Sequence, residues 1–146
     1  MKNQRISLTY GIITGIVLIV YFLILGIIGW NSNPFFSFVN AGICAIAIFL
    51  AIKNRSRIDG KKFKYQNGFA TGLLTGFYAT IIFTIFFGFY YTNNTDFANK
   101  LLDKISLNPQ EGILIFSVAI MGFASTLVVT LAIMQLFKIS RISKKP

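Results

Sequence analysis

Three long stretches of this chain carry no charge. No Asp, Glu, Lys or Arg occurs between Arg5 and Lys53, between Lys64 and Asp96, or between Glu111 and Lys138. A membrane-crossing helix needs roughly 20 consecutive apolar residues. The first run is long enough for two such helices and each of the others for one. A water-soluble core of one small domain has no use for uncharged runs of that length, because every second or third side chain would reach solvent. The charge-free runs therefore predict an all-α integral membrane protein with four transmembrane helices.

Composition agrees. Of the 146 residues 55% are hydrophobic and only 12% charged, about half the charged share of a soluble domain. The net charge of +10 raises nucleic acid as a partner, but the Lys and Arg sit at the ends of apolar runs and not on a face of a soluble fold. That placement fits the bias that concentrates Lys and Arg in cytoplasmic loops, and no nucleic-acid partner is expected.

Taken in order, the expected spans are about 7–30, 34–52, 66–91 and 111–137, forming one domain over 1–146. The first follows a short basic start and is too long for a signal-peptide core, so it is expected to be retained. Asn31-Ser32-Asn33-Pro34 breaks it from the second, with Pro34 suited to a first helical turn. Asn40 is the strongly polar side chain of the second span, and an isolated Asn there is expected to bond a neighbouring helix. The segment after it carries Lys53, Arg55, Arg57, Lys61, Lys62 and Lys64 against Asp59 alone. Asp59-Gly60 is a tight-turn signal, and a short hairpin at the headgroups is expected around it. The six cations are candidate contacts for anionic lipid headgroups.

The third run holds Gly68, Gly72, Gly76, Thr80, Thr84 and Gly88 at every fourth position. Residues four apart share one inclined row of a helix, and a row of small side chains lets a neighbour come close. Helix one, with Gly11 and Gly15 at the same depth, is the expected neighbour. Gly122, with Thr126 and Thr130, repeats the spacing in the fourth run. Gly11, Thr14, Gly15 and Tyr21 also align with Gly68, Thr71, Gly72 and Tyr78 at one offset, which predicts two related hairpins.

Between spans three and four, Phe97, Leu101 and Ile105 recur at helical spacing, with Thr95 as the expected N-cap and Asp96 in the first turn. This predicts a short amphipathic helix over about 95–107, lying on the outer leaflet. The Lys and Arg before the first span, between the second and third, and after the fourth place the N- and C-termini in the cytoplasm.

The basic segment followed by Phe63-x-Tyr65-Gln66-x-x-Phe69 and Thr71-Gly72-Leu73 resembles the bacterial membrane family called domain of unknown function 4199. Asn67-Gly68 stands where that family carries Gln or Glu followed by Ala, and Lys64 where Ser or Thr is usual. The resemblance implies a four-span chain of the bacterial cytoplasmic membrane with an outer amphipathic segment. The family carries no established activity, so it assigns no functional residue.

The sequence contains no histidine, and Asp59, Asp96, Asp103 and Glu111 all lie outside the expected spans. A buried acid–base or metal site gathers such groups, and proton-coupled transport needs an ionisable side chain within a span. No catalytic residue, metal ligand or cofactor is therefore expected. The single cysteine, Cys44, allows no intrachain disulfide. Two function classes remain. One is a non-enzymatic scaffold or accessory subunit that self-associates or joins a larger membrane complex. The other is a small channel or carrier for an uncharged or weakly polar solute, lined by Thr71, Thr75, Thr80, Thr84, Ser125, Thr126 and Thr130. Against the second stands the tendency of Thr hydroxyls in spans to bond their own backbone.

Overall fold

The computed structural model describes residues 2–30, 35, 37–105 and 111–142. It is all-helical: α1 (Lys2–Ile28), α2 (Ser37–Asp59), a 3-10 turn (Gly60–Lys62), α3 (Tyr65–Asn93), α4 (Thr95–Ile105) and α5 (Glu111–Ile142). Four of these, α1, α2, α3 and α5, are long and apolar enough to cross a membrane. Apolar faces point outward along their length, as at Ile13, Ile24, Ile46, Phe89 and Phe116. That is what a helix presents to lipid.

The helices outrun the uncharged stretches. The basic residues after Ile52 do not end α2, which continues to Asp59. Helical hydrogen bonds are local and indifferent to where the membrane stops, so charge marks the interface and not the helix end. The hairpin expected around Asp59-Gly60 does not form. Asp59 instead accepts a hydrogen bond from Arg55 Nε one turn earlier, at 2.7 Å, and Gly60, at φ +50°, starts the 3-10 turn. α1 closes with Gly29 at φ +80°. There the Trp30 amide donates to the Leu25 carbonyl and the Gly29 amide to that of Gly26. This left-handed glycine cap satisfies carbonyls that the helix end leaves open. Position 34 and positions 106–107, expected at the start of the second span and the end of the interfacial helix, lie outside the described residues.

α3 is the centre of the molecule and touches each of the other helices, whereas the backbones of α1 and α5 stay apart among the described residues. α1 runs parallel to α3. Ser7 Oγ donates to the Thr71 carbonyl, Gly11 receives Tyr78, and Gly15 receives Ile82. α5 runs antiparallel to α3 in steps of four. Gly68 faces Met134, Gly72 faces Thr130 and Gly76 faces Thr126; one step further the roles reverse, and Gly122 of α5 receives Thr80 of α3.

The expected neighbour of the α3 glycine row was helix one. The row is instead filled from α5, with Ile48 and Ile52 of α2 beside Gly72. α1 takes a different face of α3 and supplies its own notches there. The two aligned glycine rows therefore do not occupy equivalent places: the α1 row opens toward α3, and the α3 row opens away from α1.

Two apolar clusters close the ends. Ile48, Ile52, Phe63, Ile133 and Met134 fill the end near the basic segment. At the other end Phe22 stands edge-on to Phe83, Phe86, Phe87, Tyr90 and Phe97. Phe97 belongs to α4 and is 3% exposed, so the apolar stripe of α4 docks on the ends of the long helices. Leu101 and Leu102 pack against the same cluster. The N-cap of α4 is Asn94 and not Thr95: Asn94 Oδ1 accepts from the Phe97 amide at 3.1 Å. Asn at this position binds the third amide of the helix as well as Thr would.

Candidate functional site: a lateral cleft between α2 and α5

α2 and α5 meet at the basic end, where the Phe49 and Phe137 rings lie 5.6 Å apart and Ile48 and Ile52 cluster with Ile133 and Met134. Toward the α4 end α2 loses its burial. Phe38, Val39 and Ile46 are exposed, whereas Ile48, Ala51 and Ile52 are buried. Further from the basic end, between the two helices, lies a cavity of about 200 Å³. Asn40, Ala41 and Cys44 of α2 form one wall; Met121, Ser125 and Val129 of α5 form the other. Thr80, Phe83 and Thr84 of α3, with Leu18 of α1, complete the lining. Met121 is 69% exposed and Ser125 is also exposed, so the cleft opens sideways, at a level where a membrane protein meets hydrocarbon.

The polar lining divides by how it is satisfied. Ser125 Oγ donates to the Met121 carbonyl at 2.7 Å and Thr126 Oγ1 to that of Phe123 at 2.9 Å. Thr71 and Thr75 of α3 and Thr130 of α5, also named as lining of a threonine pore, bond the carbonyl four residues back and are buried in the helix contacts, with Thr75 and Thr130 at 0% exposure. Asn40 Oδ1 and Thr84 Oγ1 are different. Both are shut off from the surface and neither has a hydrogen-bond partner. The sequence reading gave Asn40 a neighbouring helix to bond, and its Oδ1 bonds none. Leaving a buried polar atom unpaired costs about 1–3 kcal/mol. By sequence Thr84 is both a small residue of the packing row and one of the threonines of the possible pore lining. Nothing in the sequence distinguishes it from Thr75, because the difference lies in which helix stands opposite.

The named glycines are dispersed along the helix contacts and do not gather at the cleft. Gly122 alone among them borders it. Gly11, Gly15, Gly68, Gly72 and Gly76 each face a side-chain atom where a Cβ would be crowded, whereas Gly88 meets Ile115 at an ordinary 3.4 Å.

Of the six basic residues, Lys53, Arg57, Lys61, Lys62 and Lys64 are exposed. Lys53 Nζ lies 5.7 Å from the centre of the Phe49 ring. Arg55 is turned inward at 5% exposure and pairs with Asp59. Asn67 of α3 donates to the same Asp59 oxygen at 3.4 Å, tying the end of α2 to the start of α3. Among the described residues no three His, Cys, Asp or Glu side chains gather where they could hold a metal.

A protein-family match decides the lineage: residues 9–111 fit the family described as "Protein of unknown function (DUF4199)". The chain belongs to that family. The match begins inside α1, at residue 9, runs through α4 and ends at the first residue of α5. It therefore includes Asn40 and Thr84 but not the α5 wall of the cleft. No curated protein and no solved structure matches the chain. For this DUF4199 protein, then, the functional reading rests on its own geometry.

Proposed function

We propose that this multi-pass membrane protein is a non-enzymatic scaffold or accessory subunit of the bacterial cytoplasmic membrane. Its four long helices cross the bilayer as two hairpins, α1–α2 and α3–α5, with both termini in the cytoplasm. α4 lies at the outer leaflet, its apolar stripe on the helix ends and its polar side toward the headgroups.

The single observation behind the scaffold reading is the filled interior of the basic half. Ile48, Ile52, Thr75, Thr126, Thr130 and Met134 are each less than 2% exposed, and the α2–α5 cleft stops beside them. A channel needs a path between the two ends of the bundle, and this packing favours a static body instead. The carboxylates favour the same reading: Asp59 is engaged with Arg55, while Asp96 and Asp103 are exposed on α4. Orientation follows from charge. Among the described residues, all Lys and Arg except Lys100 and Lys104 belong to the segments that the helix directions bring to one end, which matches the cytoplasmic bias of membrane loops. That end meets anionic lipid headgroups, each exposed cation near the surface adding about 1 kcal/mol. The apolar outer faces serve the lipid bilayer, a second copy of the chain, or a larger membrane complex.

The test is solute flux. In proteoliposomes, the entry of glycerol and urea, followed by light scattering after an osmotic jump, should match that of protein-free vesicles. Faster entry that scales with protein content would replace this reading with a channel for uncharged solutes.

A further inference from the structure

Independently of the scaffold reading, we propose that the cleft between α2 and α5 is a binding site for an uncharged, hydroxyl-bearing amphiphile that enters sideways from the bilayer. Three observations carry this. The first is the shape. The cleft is closed below by the α2–α5 contact and open beside Met121 and Ser125. A dry cavity of about 150 Å³ is enough to take a benzene-sized body, and this one is larger.

The second is the chemistry of the lining. Leu18, Phe83, Val118 and Val129 offer an apolar bed, and among the described residues no Asp, Glu, Lys, Arg or His borders the space. A charged group would therefore enter without a counter-ion, at a cost that excludes it. The third is the pair of unpartnered atoms. Asn40 Oδ1 is an acceptor in need of a donor, and Thr84 Oγ1 can both accept and donate. A hydroxyl can donate to the one and exchange a hydrogen bond with the other; both atoms are covered in this structure, so binding includes a parting of α2 from α3 that uncovers them. At 1.5 Å per residue, Asn40 lies about 5 Å inside the α4 end of α2 and Thr84 about 14 Å inside that of α3. An amphiphile lying in that leaflet carries its polar–apolar junction in this range of depth, with its tail running toward Thr126 and Val129.

The experiment uses the full chain in phosphatidylcholine–phosphatidylglycerol vesicles. The probe is a long-chain alcohol with a diazirine in its tail. After irradiation, adducts are mapped by mass spectrometry. Saturable labelling at Met121, Ser125 or Val129 is expected, displaced by unlabelled decanol but not by decane. The double variant N40L/T84V removes the polar atoms while keeping apolar bulk. It should bind the alcohol about tenfold more weakly, the worth of one hydrogen bond to a buried group. Its thermal stability in detergent should be unchanged or raised, since two unpaired polar atoms are gone.

Displacement by decane as readily as by decanol would overturn the proposal, and so would labelling spread over Ile113, Phe116 and Ile120 without saturation. Chain-to-chain adducts through the cleft with no alcohol bound would do the same, since the occupant would then be a second copy. Full binding by N40L/T84V would remove the role given to the two polar atoms.

Discussion

A glycine in this protein is defined by what stands opposite it. At Gly76 an added methyl would run into the Cβ of Thr126. A Cβ cannot move unless its backbone moves. At Gly72 the obstacles are the methyl ends of Thr130, Ile52 and Ile48 at 2.6, 3.0 and 3.1 Å, which can turn aside. At Gly42, on α2, nothing lies within 4 Å. Alanine is the better helix former by up to about 1 kcal/mol, so Gly42→Ala should be neutral or stabilising. Gly76→Ala forces α3 and α5 apart, and overpacking of this kind costs about 1–3 kcal/mol. Thermal unfolding in detergent should therefore fall clearly for Gly76→Ala, less for Gly72→Ala and not at all for Gly42→Ala. Equal melting of all three would mean that α5 does not seat on the row. The spacing of the row was legible in the sequence, because a period of four is written in the residues. Its partner was not. Gly11 and Gly15 offered an equally apolar, equally deep candidate, and choosing between α1 and α5 requires the order of helices around α3. Asn40 shows the same limit, since its residue type predicts a partner but not the gap in front of it.

Among the elements, α4 is the one held by one buried anchor, with Leu101 and Leu102 only partly buried beside it. Among the described residues its backbone touches only α3, and Phe97 is its buried anchor among the rings of Phe22, Phe87, Tyr90 and Tyr91. Edge-on aromatic pairs each contribute about 0.5–1.5 kcal/mol beyond area burial. Truncating a buried Phe costs about 3–5 kcal/mol in a soluble core, more than an 11-residue helix is expected to sustain alone. Phe97→Ala should thus release α4 without unfolding the spans. Hydrogen exchange should rise over Asp96–Asp103 while the centre of α3 stays protected; a loss of protection throughout would show that α4 is not a separate unit. The amphipathic stripe over this segment was plain in the sequence. The shift of the cap from Thr95 to Asn94 was not, because both residues suit an N-cap and only the register of the first turn separates them.

For the whole molecule, the parallel run of α1 and α3 and the reversed run of α5 bring the basic segments to one end and α4 to the other. The charge-free runs carried nearly all of this in advance. They missed the helix ends, since a helix such as α2 passes through the interface before it stops. Membrane orientation can be read by thiol labelling in a Cys44→Ser background. Ser56→Cys samples the basic end, and Asn99→Cys an exposed position of α4 that leaves the Asn94 cap intact. An impermeant maleimide applied to cells with a permeabilised outer membrane should modify Asn99→Cys and spare Ser56→Cys. The reverse pattern would invert the proposed topology.

The interlock of α3 with α5 also has a history in time. The chain is synthesised from its N-terminus, so the notches at Gly11 and Gly15 are filled as soon as α3 emerges. The row at Gly68, Gly72 and Gly76 must wait for α5. Until then the newborn protein sits in the bilayer with an open seam along its central helix, the surface that would attract a stray helix or a membrane chaperone. A ribosome halted before α5 would leave a molecule that is still adhesive along that seam, and the arrival of α5 is what closes it.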